Sequence, residues 1–348
     1  MRILPVMLIF LIMAMTLHAQ TDDAVLSIDT VADMVQIGEL RGFDSAVNSL
    51  TFTANSQFII AGGDDTSLRV WDIASKTETQ TLFPHNSYIK AVALSPDGTT
   101  LATASWDRQV LIYSVADDGF LIQTNTLSGY MSVINQVAFL TDDKIVFSVG
   151  DGSLVLVDLS NPSEQTVVEA GALYITALDV ISSPTGSLIA VTTGFPDDSL
   201  WVYDADLQNP RQVKSLSTRG RTTITFSPIV ADERLLLAMA GNGQGVALWD
   251  ISASAEAELP DEPFNFASTR ESVLWYTDLA FSPDGTLLFM AYTPETVMVY
   301  DVSNPSEAIE LLTFNNDSGI QAIAVSPDGR MIATGHEDGV IRLWGIDG

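Results

Sequence analysis

"SLRVWDIASK", residues 67–76, is a short run of alternating apolar residues closed by Trp71 and Asp72. Close variants return six times: "QVLIYSVADD" from Gln109, "SLVLVDLSNP" from Ser153, "SLWVYDADLQ" from Ser199, "GVALWDISAS" from Gly245, "TVMVYDVSNP" from Thr296 and "GVIRLWGIDG" from Gly339. The aromatic or equivalent apolar positions are Trp71, Tyr113, Val157, Tyr203, Trp249, Tyr300 and Trp344, so the unit recurs every 42 to 51 residues. A period of that size marks a repeat architecture, and every local feature has to be read inside it.

Within the second unit, "IKAVALSPDGTTLATASWDRQVLIYSV" holds three short runs rich in β-branched residues, separated by turn chemistry, which read as strands. The turn "SPDG" at residues 95–98 suits a tight hairpin, because proline fixes one backbone angle and Gly98 accepts a positive φ. It returns at 282–285 and 326–329, with a looser "SPTG" at 183–186. A fourth strand follows each closing motif, as in "TETQTLF" from Thr77 and "SEQTVVEA" from Ser163. Strands such as "GVALW" and "SLVLV" are apolar almost throughout, as expected when both faces are covered by neighbouring sheets. Seven four-stranded antiparallel sheets arranged radially provide that cover, and helical signals are nearly absent after residue 20.

On these motifs the chain resembles the WD-repeat β-propeller family over about residues 35–348, which implies an all-β, seven-bladed fold. The last unit ends after its third strand, and "DMVQIGELRGF" from Asp33 has the composition of the missing fourth, so an N-terminal strand is predicted to complete the last blade. The resemblance also implies a buried polar network in each blade, joining a turn aspartate, a histidine ahead of the first strand, a strand hydroxyl and the tryptophan. Asp65, Asp107, Asp151 and Asp338 match the aspartate, and Trp71, Trp249 and Trp344 the tryptophan. The histidine matches only at His85, with Phe43, Tyr130 and Asn316 at the like positions elsewhere, so blade 2, with His85, Thr103 and Asp107, should keep most of the network. Gly243 and Pro294 stand where blades 5 and 6 would carry the aspartate. His336, in "TGHEDGVIRLW", reads as a surface residue of an exposed turn.

The first segment, "MRILPVMLIFLIMAMTLHAQ", has one positive charge at Arg2, an apolar run to Leu17 and a small residue at Ala19. That is the pattern of a secretory signal peptide, residues 1–19, cleaved near Ala19; a retained N-terminal anchor is the alternative. Residues 20–34 then read as a short acidic linker ahead of the propeller at 35–348. The expected location is outside the cytoplasm, secreted or at the cell-envelope exterior, with no stable membrane insertion after cleavage. The chain has no cysteine, so it is held by its core without disulfides. Fifteen basic against 44 acidic residues give a net charge of −29, a field that repels phosphate backbones and makes nucleic acid an unexpected partner.

Catalytic sets are missing by type. After the leader only His85 and His336 remain, too few for a histidine-clustered metal hydrolase. "GNGQG" at 241–245 lies between strands with no helix to follow, so it reads as a turn and not as a phosphate cradle. No cofactor is expected, and incidental calcium in an acidic channel is the one exception the composition leaves open. Residues at the start of each first strand should instead face one rim, and they include Tyr88, Lys90, Tyr174, Arg219, Arg221, Trp275 and Tyr276, with Trp106 turned to the same side. Exposed aromatics mixed with cationic residues are the usual material of binding hot spots. The sequence is therefore read as a secreted, non-enzymatic, monomeric scaffold that presents this rim to a protein or peptide. The alternative is a lactonase-like or lyase-like propeller, or a small-ligand receptor, with a divalent cation in its channel.

Overall fold

In the computed structural model the described residues are 25–170, 174–183, 186–194, 199–208, 210–215, 222–228, 235–241, 245–251, 264–266, 276–292 and 295–347. They form seven four-stranded antiparallel sheets. Blades 1 to 6 follow one another along the chain, at residues 47–82, 89–127, 134–169, 175–215, 222–266 and 276–315. Blade 7 joins Ile320–Val325, Met331–His336 and Val340–Ile346 to the N-terminal strand Met34–Arg41.

The hairpins between first and second strands are set by the "SPDG" chemistry. In three blades the serine hydroxyl donates to the turn aspartate, Ser95 to Asp97, Ser282 to Asp284 and Ser326 to Asp328, at 2.5–2.6 Å. The same serine oxygen accepts the amide of the next strand, from Thr100, Leu287 or Met331. Gly98, Gly285 and Gly329 adopt φ of 70–74°, a conformation that a side chain would disfavour.

Second and third strands are buried on both faces. The apolar residues segregate into seven clusters, one at each junction between neighbouring blades. One cluster sets Ala322, Ala333, Ile341 and Leu343 of blade 7 against Val47, Leu50, Ile59 and Trp71 of blade 1, so the ring is closed. Each fully buried aliphatic side chain contributes roughly 1.5–3 kcal/mol, spread evenly around the circle.

Closure is by the N-terminal strand, as the sequence predicts. Met34–Arg41 pairs antiparallel with Val340–Ile346, from Met34 opposite Ile346 to Arg41 opposite Val340. A bulge between Gln36 and Gly38 frees the Ile37 carbonyl, which accepts the Lys76 ammonium from blade 1 at 2.5 Å. The described end of the stretch read as a linker is packed: Leu26 and Val31 are buried in the core between blades 6 and 7, and the Leu26 amide bonds to the Gly329 carbonyl at 2.8 Å. Leucine and valine among these acidic residues supply apolar surface that the last junction covers.

Candidate rim site

Loops that enter a blade and turns that join its second and third strands lie at the same end of the ring. A recurring backbone bond fastens one to the other: Asp64 to Ala46, Trp106 to Tyr88, Gly150 to Val133, Gly194 to Tyr174 and Glu337 to Gly319. At the same end, six first strands carry a register shift at their second residue, which is Asn48, Lys90, Asn135, Thr176, Thr277 or Gln321. A bulge leaves one residue outside the ladder and re-aims its side chain. Here the freed side chains reach across to groups on the rim or on the next blade.

The fullest result spans blades 1 to 3. Lys90 Nζ donates to Asn48 Oδ1 at 2.9 Å, stands 3.7 Å from Asp64 Oδ1 and lies 5.4 Å from the centre of the Trp106 ring. Asn48 Nδ2 donates to Asp64 Oδ1 at 2.6 Å and to the Ile89 carbonyl at 2.9 Å. The Trp106 indole donates to Asn135 Oδ1 at 2.9 Å, and its ring meets Tyr88 at 5.3 Å between centroids. Tyr88 and Trp106 nevertheless keep 40% and 41% of their surface exposed. Trp106 is thus fixed by polar partners, Tyr88 packs on its ring, and both are left open to solvent, the preorganised form of a contact surface. Met131, 85% exposed, lies in the loop entering blade 3 at this end.

Of the residues expected at the rim, Tyr88, Lys90 and Trp106 come together. Tyr174 is half-exposed in blade 4 and folds its ring over Gly194, where a Cβ would have no room. Tyr276, in blade 6, packs against Tyr292 with ring centroids 6.0 Å apart, and burial raises its pKa. Arg219, Arg221 and Trp275 lie outside the described residues. Asn48, Asp64, Asn135 and Met131 were missed. Asp64 reads as an ordinary turn carboxylate, and nothing local marks the bulges that bring the two asparagines into play.

The buried network is uneven. In blade 2, His85 Nδ1 lies 2.9 Å from Asp107 and Nε2 2.7 Å from the Thr103 hydroxyl. Burial lowers the His85 pKa despite the opposing charge of Asp107. In blade 7 the surface expectation for His336 is overturned, since this residue is 0% exposed. It ends the second strand, and its ring turns inward because Thr334 and the Ser318 carbonyl offer partners at 2.8 and 3.0 Å. The carbonyl only accepts, so Nδ1 carries the proton and Nε2 accepts from Thr334, whose oxygen accepts the Trp344 indole at 2.9 Å. His336 thereby replaces the absent loop histidine, and burial pushes its pKa down to about 4.

Trp71 and Trp249 do not join such a network: both indole N–H groups lack a partner among the described residues. The threonine position of their blades holds Ala61 and Met239, which have no hydroxyl. Asp65 serves Ser67, Asp44 and Arg69 instead, Asp338 holds Arg342, and Asp151 accepts the Ser153 amide.

Comparison with known proteins follows this pattern. Residues 34–72, 76–114 and 309–345 match the family model described as WD domain, G-beta repeat, and residues 147–170 match the LVIVD repeat. The chain carries WD repeats. They cover blades 1, 2 and 7, where the two histidines and three of the four turn aspartates lie, Asp151 standing in blade 3. The guanine nucleotide-binding protein subunit beta of Zea mays is 22% identical over 331 residues, 91% of this chain and 84% of that protein. Its counterpart in Saccharomyces cerevisiae is 21% identical, covering 88% of this chain and 78% of that protein. A solved chain titled "Structure of U3-55K" superposes with a TM-score of 0.74 over 91% of this chain and 99% of its own, at 16% identity, a likeness of fold alone.

Proposed function

We propose that this protein is a non-enzymatic, exported scaffold that binds a protein or peptide partner on the rim of blades 1 to 3. The observation that carries the reading is the Tyr88–Trp106 pair, held by Asn135, Lys90, Asn48 and Asp64 yet open to solvent. Aromatic side chains with few rotatable bonds, already fixed, lose little entropy on contact, which is why such residues dominate binding energies. Two of the similar proteins are named as subunits of a guanine nucleotide-binding protein, and a subunit acts by association, which supports a binding role on WD repeats. Lys90 is satisfied internally, so the contact expected here is an apolar or aromatic segment of a peptide laid on the two rings. Residues 1–19 serve as the export leader in this reading.

The test compares wild type with Tyr88→Ala/Trp106→Ala, both produced without the leader and immobilised, for the proteins each captures from the cell-envelope and secreted fractions. Partners retained by wild type and lost by the variant, with the Tm of the two within about 2 °C as befits surface positions, support the proposal. Identical capture profiles refute it.

A further inference from the structure

Trp106 and Arg108 share the turn that joins the second and third strands of blade 2. The Arg108 amide closes it on the Ser105 carbonyl, and the Trp106 amide docks it on the Tyr88 carbonyl, both at 3.1 Å. Arg108 takes φ of 71°, a left-handed conformation that is unfavourable for a residue with a side chain and open to glycine. The like positions of blades 3 and 7 do hold glycine, Gly152 at φ 91° and Gly339 at φ 77°, and that of blade 1 holds the short, uncharged Thr66. Among the described turns of this kind, blade 2 alone places a long cation there. Backbone strain kept beside exposed aromatics points to a functional group.

The charge is also left open. Arg41, Arg69 and Arg342 pair with carboxylates, and Lys90 is held by Asn48 and Asp64. Arg108 is exposed, and its side chain has no partner among the described residues. The carboxylates of its own turn and of the adjoining one are engaged elsewhere. Asp107, with a side chain 7% exposed, lies against His85 and accepts the Asn86 and Gln109 amides. Asp65 serves Ser67 and Arg69, and Asp64 serves Asn48 and Lys90. A free guanidinium therefore stands in the same turn as the exposed Trp106 ring.

We propose that the rim selects a peptide with an apolar or aromatic anchor and one side-chain carboxylate within about three residues of it, the anchor lying on Tyr88 and Trp106 and the carboxylate on Arg108. This specificity rests on the rim binding proposed above and adds the charge to it. Arginine suits the task, because its planar fork donates two parallel N–H bonds to a carboxylate. Trp106 and Arg108 are separated by at most about 7 Å of backbone, a distance that an extended peptide also covers in two residues. The net charge of −29 repels strongly acidic segments. The fitting partner therefore carries a single carboxylate beside its anchor in a segment that is otherwise neutral or basic.

The probe is a set of short immobilised peptides, acetylated and amidated at their ends, with phenylalanine, tryptophan or leucine at the centre of a glycine–serine segment. Each carries glutamate, glutamine or lysine at one position near the centre. Leaderless wild type should be retained by glutamate peptides about threefold better than by their glutamine twins, the worth of an exposed charge pair. Arg108→Gly suits the φ of 71° and should hold the twins alike, with a Tm equal to or above that of wild type. Arg108→Glu should turn the preference toward lysine. Tyr88→Ala/Trp106→Ala should lose all the peptides together. Wild type that holds the twins equally, or Arg108→Gly that still prefers glutamate, overturns the role of Arg108 and leaves the aromatic rim site standing. Retention of no peptide by wild type, or equal retention by the double alanine variant, overturns both.

Discussion

Thr334→Val isolates the hydroxyl that links Trp344 to His336. The two side chains have nearly the same volume, so no cavity opens at a position that is fully buried. The Trp344 indole loses its acceptor at 2.9 Å and His336 Nε2 its donor at 2.8 Å. Stranding a buried polar group costs about 1–3 kcal/mol, so the pair should cost about 2–6 kcal/mol. With an unfolding entropy of about 2 cal/mol/K per residue, a chain of this size loses roughly 1.5 °C of Tm per kcal/mol. The expected fall is therefore about 3–9 °C by scanning calorimetry at pH 7.5, with Thr334→Ser, which keeps the hydroxyl, falling by less than half as much. A valine variant within 1 °C of wild type, or a serine variant equally destabilised, would refute the reasoning.

Ala61→Ser should supply the acceptor that the Trp71 indole lacks and raise stability by about 0.5–1.5 kcal/mol in denaturant titration, the net worth of a buried hydrogen bond. Leu26→Ala should cost about 2–3 kcal/mol by removing a fully buried side chain from the junction of blades 6 and 7, whereas Ile28→Ala, at a half-exposed position in the same segment, should cost less than about 0.5 kcal/mol. His336 titrates near 4 when folded and near 6.5 when unfolded, so the stability it gives is present above pH 6.5 and lost as pH falls toward 4. Measured by chemical denaturation, the gap between wild type and His336→Asn should narrow by about 2–3 kcal/mol over that range.

Repeat period, turn chemistry and the all-apolar central strands made the seven blades legible, because each reflects a local rule that holds wherever the strand packs. The closing strand was legible too, since "DMVQIGELRGF" has a pattern that one particular empty edge required. His336 was not. The sequence places it beside a turn, and only the positions of Thr334 and Ser318 turn its ring inward. The rim was half legible. Aromatic residues announced themselves, whereas Asn48 and Asn135 acquire their roles from bulges that depend on the pairing of first and second strands.

The rim and the blade junctions presuppose a ring shut by the pairing of Met34–Arg41 with Val340–Ile346. The absence of native cysteine provides a clean background for testing this by Met34→Cys/Ile346→Cys, at positions directly opposite in the closing pair. Opposed residues of antiparallel strands have Cα atoms about 4.5–5.5 Å apart, within the span of a disulfide. Mild oxidation of the native protein should convert the pair to a single intramolecular disulfide, seen as a loss of two hydrogens in the intact mass. Thiols that stay free under the same conditions in the folded protein would contradict the closed ring.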